Sequence, residues 1–291
     1  MIKDTDRFDR QISLFGAEGQ RRIATARVGI VGLGGLGSHM AQQLAYLGVT
    51  RYALIDGDRT SIHSFNRLVT GQPDDLGSYK TDVAERLIRT INPEAVVVNI
   101  RSHLPHRAAD TALKKVDLIL GGLDNDAARL KLTDLASRYQ AVYIDAATDT
   151  NTASDQLVYG GRLVTAGTSP GCLFCLNLLD QRQIRRASMT PAERAAEAAI
   201  YGVPIDALDA TGPSVVTING VVASLATTEA MVHLTGLRPP QKQLTYRGDQ
   251  GGVRVSLDRP ILEMCPYCAR WSVSQGGRPF GDGPPVLCGS E

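Results

Sequence analysis

Val28-Gly29-Ile30-Val31-Gly32-Leu33-Gly34-Gly35-Leu36-Gly37-Ser38 is the stretch that decides the reading of this chain. The apolar run from Val28 has the composition of a buried strand, the glycines that of a tight turn, and Ser38 to Gly48 the pattern of a helix. Glycine is needed where a strand turns sharply into a helix and a ligand must touch backbone. The first N–H groups of such a helix lack intrahelical partners and sit at the positive end of its dipole, which suits phosphate. Arg51 to Ile55 reads as the next strand, ending on Asp56, a carboxylate placed to hold ribose hydroxyls. The stretch is a nucleotide cradle, and G-x-G-x-x-G with a downstream acid fits a dinucleotide dehydrogenase equally well.

Outward from this unit, strands and helices alternate. A helix is expected from Lys80 to Ile91, with Val83, Leu87 and Ile91 on its sheet-facing side and Asn92-Pro93 as its stop. Strands follow at Ala95–Ile100 and Val116–Leu120, then Gly121-Gly122-Leu123-Asp124-Asn125, a helix over Ala127–Tyr139 and a strand over Ala141–Asp145. That rhythm predicts a Rossmann-like, doubly wound, mostly parallel sheet. After Asp149 the rhythm changes. Gln156 to Thr165 reads as a hairpin turning at Gly160-Gly161, which adds antiparallel strands. Residues 180–210 read as a mobile helical loop, Ser214–Leu234 as a long buried helix ended by Gly236, and Gln243–Arg247 and Val253–Leu257 as short strands. The tail after Arg270 is rich in Gly and Pro and is expected to be poorly ordered.

The bulk numbers fit this class. With 291 residues, 43% hydrophobic and 21% charged, the chain can bury a sizeable core. A formal charge of +1 argues against a general nucleic-acid surface, and no run of about 18 uncharged apolar residues suggests a membrane span. The polar N-terminus lacks a secretory signal, so a cytoplasmic location is expected.

Four of the five cysteines stand in two C-x-x-C pairs, Cys172/Cys175 and Cys265/Cys268. Two such pairs make a tetrahedral thiolate set that selects zinc, and with no open position the site reads as structural. A third constellation, Arg10, Asp56, Arg67, Lys80 and Asp124, is expected at the carboxyl edge of the sheet, where doubly wound folds bind ligands. Two arginines and a lysine there suit a triphosphate, and a carboxylate suits magnesium. His103 and His106 flank a proline in a polar loop and read as surface histidines lacking a carboxylate partner. Arg182, Arg185 and Arg186 read either as a solvated helix face or as steering groups for an acidic partner.

Arg7-Phe8-Asp9-Arg10-Gln11, the glycine loop, Asp56-x-Asp58, Phe65-Asn66-Arg67, Lys80, Asp124-Asn125 and the paired C-x-x-C together resemble the ThiF/MoeB-type family, bacterial relatives of ubiquitin-activating enzymes. The resemblance runs from Arg7 to Cys268. It implies one adenylation domain over 1–291, with a nucleotide-binding part to about 148, a zinc-bearing and crossover part over about 149–270, and a flexible tail over about 271–291. It implies ATP-dependent adenylation of the C-terminal carboxylate of a ubiquitin-like protein with a Gly-Gly-type tail, by a homodimer using Mg²⁺ and carrying Zn²⁺. By position, nucleotide contacts fall on Gly32, Gly34, Gly35, Gly37, Asp56, Asp58, Asn66, Leu123 and Asn125. Arg67 and Lys80 would meet phosphates, Asp124 would bind Mg²⁺, and Arg10 would reach into the other protomer's site. Residues 180–210 would cross over the threaded tail.

Two departures from that pattern stand out. Ser64 occupies the position three before Arg67 where the family has asparagine, so a phosphate contact is expected to be lost or taken over by Asn66. No cysteine stands between Cys175 and Cys265, so a thioester at the family's place is not expected; only Cys288 is left over. Adenylation of a short ribosomal peptide, an NAD-dependent oxidoreductase and an inactive scaffold remain as alternatives.

Overall fold

Residues 4–151, 157–201, 213–256, 262 and 264–272 are described by the computed structural model. Helix α1 (Asp4–Thr25), interrupted at Gly16, leads into β1 (Arg27–Val31), α2 (Gly35–Leu47) and β2 (Arg51–Ile55). Then come α3 (Lys80–Ile91), β3 (Val96–Ile100), α4 (Arg107–Leu113), β4 (Leu118–Gly121) and α5 (Asp126–Tyr139). The second half holds β5 (Val142–Asn151), β6 (Val158–Ala166), α6 (Gln181–Ala187) and α7 (Pro191–Tyr201). It closes with α8 (Val216–Thr235), β7 (Gln243–Arg247), β8 (Gly252–Val255) and α9 (Cys268–Ser272).

The strands form one sheet in the order β3-β2-β1-β4-β5-β6-β7-β8. The five from β3 to β5 are parallel, and β6, β7 and β8 extend them antiparallel. Strand side chains alternate between two separate cores, as a sheet covered on both faces requires. Leu118, Leu120 and Ile144 join the core under α1, α2, α3 and α8, whereas Ile119 and Tyr143 join the one under α4 and α5. In α3 the inward side is Thr81, Val83, Ala84 and Ile88, with Leu87 only half-buried. Helix α8 buries Val222, Ala223, Ala226 and Ala230 and packs against α1, α2, β5, β6 and β7, while Thr217, Val221, Ser224 and Thr228 are exposed. Among the described residues no helix is long and apolar enough to cross a membrane.

One expected element is corrected. Gly160-Gly161 does not turn a hairpin; both residues lie inside β6, paired with Asp149 and Thr148 on one side and Arg247 and Tyr246 on the other. The hairpin is β5–β6, its connection falling after Asn151. The glycines are there because the neighbouring backbones come so close. A Cβ on Gly160 would sit 2.0 Å from the Tyr246 carbonyl oxygen, and one on Gly161 2.5 Å from that of Ala147. Strand β5 also runs to Asn151, six residues beyond the expected Asp145. Residues 180–201 hold the two helices α6 and α7. Cys288 and the rest of the tail lie outside the described residues, as does the stretch 202–212.

Candidate functional site

A cleft of about 1480 Å³ opens along the carboxyl edge of the parallel strands. The glycine loop between β1 and α2 forms its floor. Gly32 adopts φ +85°, and a Cβ there would lie 2.6 Å from the Gly122 carbonyl oxygen. On Gly37 a Cβ would lie 1.9 Å from the Gly32 carbonyl oxygen, so Gly37 packs the turn and is absent from the cleft lining. At Gly34 nothing lies within 4 Å of such an atom, which leaves the backbone open to the cleft.

Asp56, just beyond β2, is buried and accepts N–H bonds from Leu33 (2.6 Å) and Asp58 (2.7 Å). Burial raises its pKa, against the pull of Lys80 and of those two N–H groups. Lys80 opens α3 and reaches the second acid, its Nζ 2.6 Å from Asp58 Oδ2. Asn66 and Arg67 follow a short helical turn after β2; the Arg67 guanidinium donates to the His63 carbonyl and to Asn66 Oδ1 at 3.1 Å. Opposite them, Leu123, Asp124 and Asn125 follow β4. Asn125 caps α5 by accepting from Ala128 N–H at 2.8 Å, which leaves Asp124 exposed at the cleft wall.

Gly32, Gly34, Gly35, Asp56, Asp58, Asn66, Arg67, Lys80, Leu123, Asp124 and Asn125 thus line one cleft. Arg10 does not. It is exposed on α1, a helix that packs on α8, and it is not among the residues lining the cleft of its own chain. Ser64 is buried instead of facing the cleft; its Oγ accepts the Ser61 N–H at 3.2 Å and closes a helical turn, while Asn66 lines the cleft.

Other lining groups gave little sign in the sequence. Asn219, a buried amide on α8, donates to Ser214 Oγ at 3.0 Å and accepts from Thr148 Oγ1 at 3.3 Å. Its amide is so close to the loop that a Cβ on Gly35 would lie 2.2 Å from Nδ2. At the other end a buried ion network surrounds Asp145, which accepts from Tyr143 Oη (2.8 Å) and Arg162 Nη1 (2.9 Å) and has Arg129 Nε at 3.5 Å. Burial opposes the Arg129 charge, but Asp145 and Asp126 outweigh it and the guanidinium stays protonated. An acid ending the apolar run Val142-Tyr143-Ile144 was the one signal of this network. His103 also faces the cleft and, contrary to expectation, has a carboxylate partner, Asp58 Oδ1 at 3.3 Å from Nε2. His106 caps α4 by accepting from Ala108 N–H.

On the far face the four cysteines converge. Their sulfurs lie within 4.8 Å of one another, with Cys172–Cys265 at 3.6 Å and Cys175–Cys268 at 3.5 Å. Zn–S bonds of about 2.3 Å set tetrahedral sulfurs about 3.8 Å apart, so the set fits zinc. The Cys172 N–H donates to Cys175 Sγ at 3.0 Å, and hydrogen bonding from Cys172 pulls the Cys268 thiol down to about 5, toward the thiolate that ligates metal.

Comparison with known proteins places this cleft in a family. A model of the ThiF family matches residues 8–256, and the chain belongs to that family. It is 27% identical over 273 residues to the sulfur carrier protein ThiS adenylyltransferase of Escherichia coli, covering 91% of this chain and 96% of that one. It is 36% identical over 138 residues to the adenylyltransferase and sulfurtransferase uba4 of Aspergillus clavatus, over 47% of this chain. That match spans only 28% of the fungal protein's length. The fold is shared with E. coli MccB solved with AMPCPP and MccA, at TM-score 0.68 and 19% identity, over 92% of this chain and 75% of that one.

Proposed function

We propose that the chain uses ATP to adenylate the C-terminal carboxylate of a small ubiquitin-like or sulfur-carrier protein, releasing pyrophosphate. The observation that carries this reading is the convergence of the glycine loop, Asp56, Arg67, Lys80 and Asp124 on one cleft in a member of the ThiF family. The full-length match to a ThiS adenylyltransferase supports a carrier protein as the substrate.

The chemistry asks little covalent work of the protein. At neutral pH a carboxylate is already a nucleophile, so no general base is required. Its oxygen attacks the α-phosphorus, a P–O bond forms to the tail, and the bond to the β-phosphate oxygen breaks. What remains is alignment and charge neutralisation. Asp56 accepts the ribose hydroxyls, the glycine loop meets the phosphates through backbone N–H groups, and Arg67 and Lys80 neutralise the triphosphate. Asp124 is the group to hold Mg²⁺, which when bound stabilises the departing pyrophosphate. The four cysteines hold a structural zinc that ties residues 172–175 to 265–268. Arg10, which is not among the residues lining its own cleft, serves the site of a second copy in a homodimer.

Pyrophosphate exchange into ATP tests this. Exchange should require a small protein ending in Gly-Gly, and a chain that titrates with NAD in preference to ATP would sink the reading. Dependence of exchange on a short peptide would identify a peptide-adenylating enzyme instead.

A further inference from the structure

Asp58 has a partner at each carboxylate oxygen: Oδ2 accepts a hydrogen bond from Lys80 Nζ at 2.6 Å, and Oδ1 lies 3.3 Å from His103 Nε2. All three side chains line the cleft beside Asp56. The imidazole is seated by its backbone neighbour, since a Cβ on Gly57 would fall 2.5 Å from His103 Cδ2. Lys80 is the more enclosed of the two partners, its side chain 15% exposed against 70% for His103.

This arrangement conflicts with the role of Lys80 given above. A lysine held at 2.6 Å by a carboxylate is not free to neutralise phosphate, and an unpaired Asp58 would repel a polyanion in the same cleft. The second partner resolves the conflict. We propose that His103 is a positioning residue, whose Nε2 edge beside Oδ1 holds Asp58 in place while Lys80 transfers from Asp58 to the nucleotide phosphates. His103 keeps the carboxylate turned from the phosphates and stops it from recapturing the lysine. Nothing in the family motifs quoted above includes His103, and the inference rests on the ATP reading of the cleft.

Calorimetric titration of the full chain with ATP and, separately, with adenosine tests it. Adenosine carries no phosphate, so it does not draw Lys80 from Asp58. His103→Ala should weaken ATP about three- to fivefold, the range of an exposed ion pair, and leave adenosine unchanged. His103→Gln, whose amide keeps a neutral donor near the same place, should restore ATP affinity. In an Asp58→Asn background His103→Ala should cost nothing further, because the carboxylate it restrains is gone. Equal weakening of both ligands would make His103 a mere wall of the cleft and overturn the proposal, as would unchanged ATP affinity. A wild-type chain that binds neither ligand overturns the nucleotide reading itself, and this inference with it.

Discussion

Asp124 and Asp56 are both carboxylates at strand ends, and their surroundings differ in a way that suits the two roles proposed for them. Asp124 is exposed, with Asn125 Nδ2 at 3.4 Å, and so is available to a metal. Asp124→Ala should lower partner-dependent pyrophosphate exchange roughly a hundredfold or more while leaving the circular dichroism spectrum unchanged. Unchanged exchange would remove Asp124 from the metal site. Asp56 is buried, and burial raises its pKa, against the opposing pull of Lys80. Ribose hydroxyls need it ionised. As pH falls through its raised value the acceptor is lost, so ATP affinity should decline at a higher pH than an ordinary aspartate would produce. Titrations across acidic pH should show that limb in the wild type and a flat, weaker profile in Asp56→Asn. The residues legible from sequence were those whose meaning is local: Asp56 ends a strand, and Asp124 follows one. Asn219 and Arg162 were not legible, because tertiary packing brings them to the cleft: Asn219 meets Thr148 71 residues away, and Arg162 meets Asp145 17 residues away.

At the scale of elements, the β1–α2 turn and the strand β6 show why equal glycine patterns differ in legibility. The turn is written in consecutive residues, and a backbone oxygen 1.9 Å from any Cβ on Gly37 leaves no room for a side chain. Gly37→Ala should destabilise the chain by about 2–3 kcal/mol, read as a drop in urea midpoint at constant slope. Gly160-Gly161 looks like a turn by the same local rule. Its cause is instead the close approach of the hairpin partner β5 on one side and of β7, far along the chain, on the other, which a rule on consecutive residues does not detect. Alternation of strands and helices up to Asp145 was readable from apolar periodicity and turn signals, except for the short helix α4, which those signals do not mark. The extension of β5 through Thr148 and Asp149 was not, because polar residues there conceal the strand pattern.

Taken whole, the molecule is one sheet carrying the cleft on its carboxyl edge and the cysteine cluster where the far face meets the C-terminal segment. The cluster joins positions 93 residues apart. Losing a cross-link over a loop of that size costs about 4 kcal/mol, which for a chain of this length corresponds to a melting temperature roughly 6–7 °C lower. Chelation, or Cys265→Ser, should produce that drop with loss of stoichiometric zinc; an unchanged melting temperature would mean that no metal staples the fold. The central claim is that this cleft captures a carboxyl tail as an acyl-adenylate. Pyrophosphate exchange into ATP, measured with a Gly-Gly-ending carrier protein and with the same protein blocked as its C-terminal amide, tests it most directly. The account predicts exchange with the free carboxylate and none with the amide. Equal exchange with both, or with neither of any carriers tried, would contradict it.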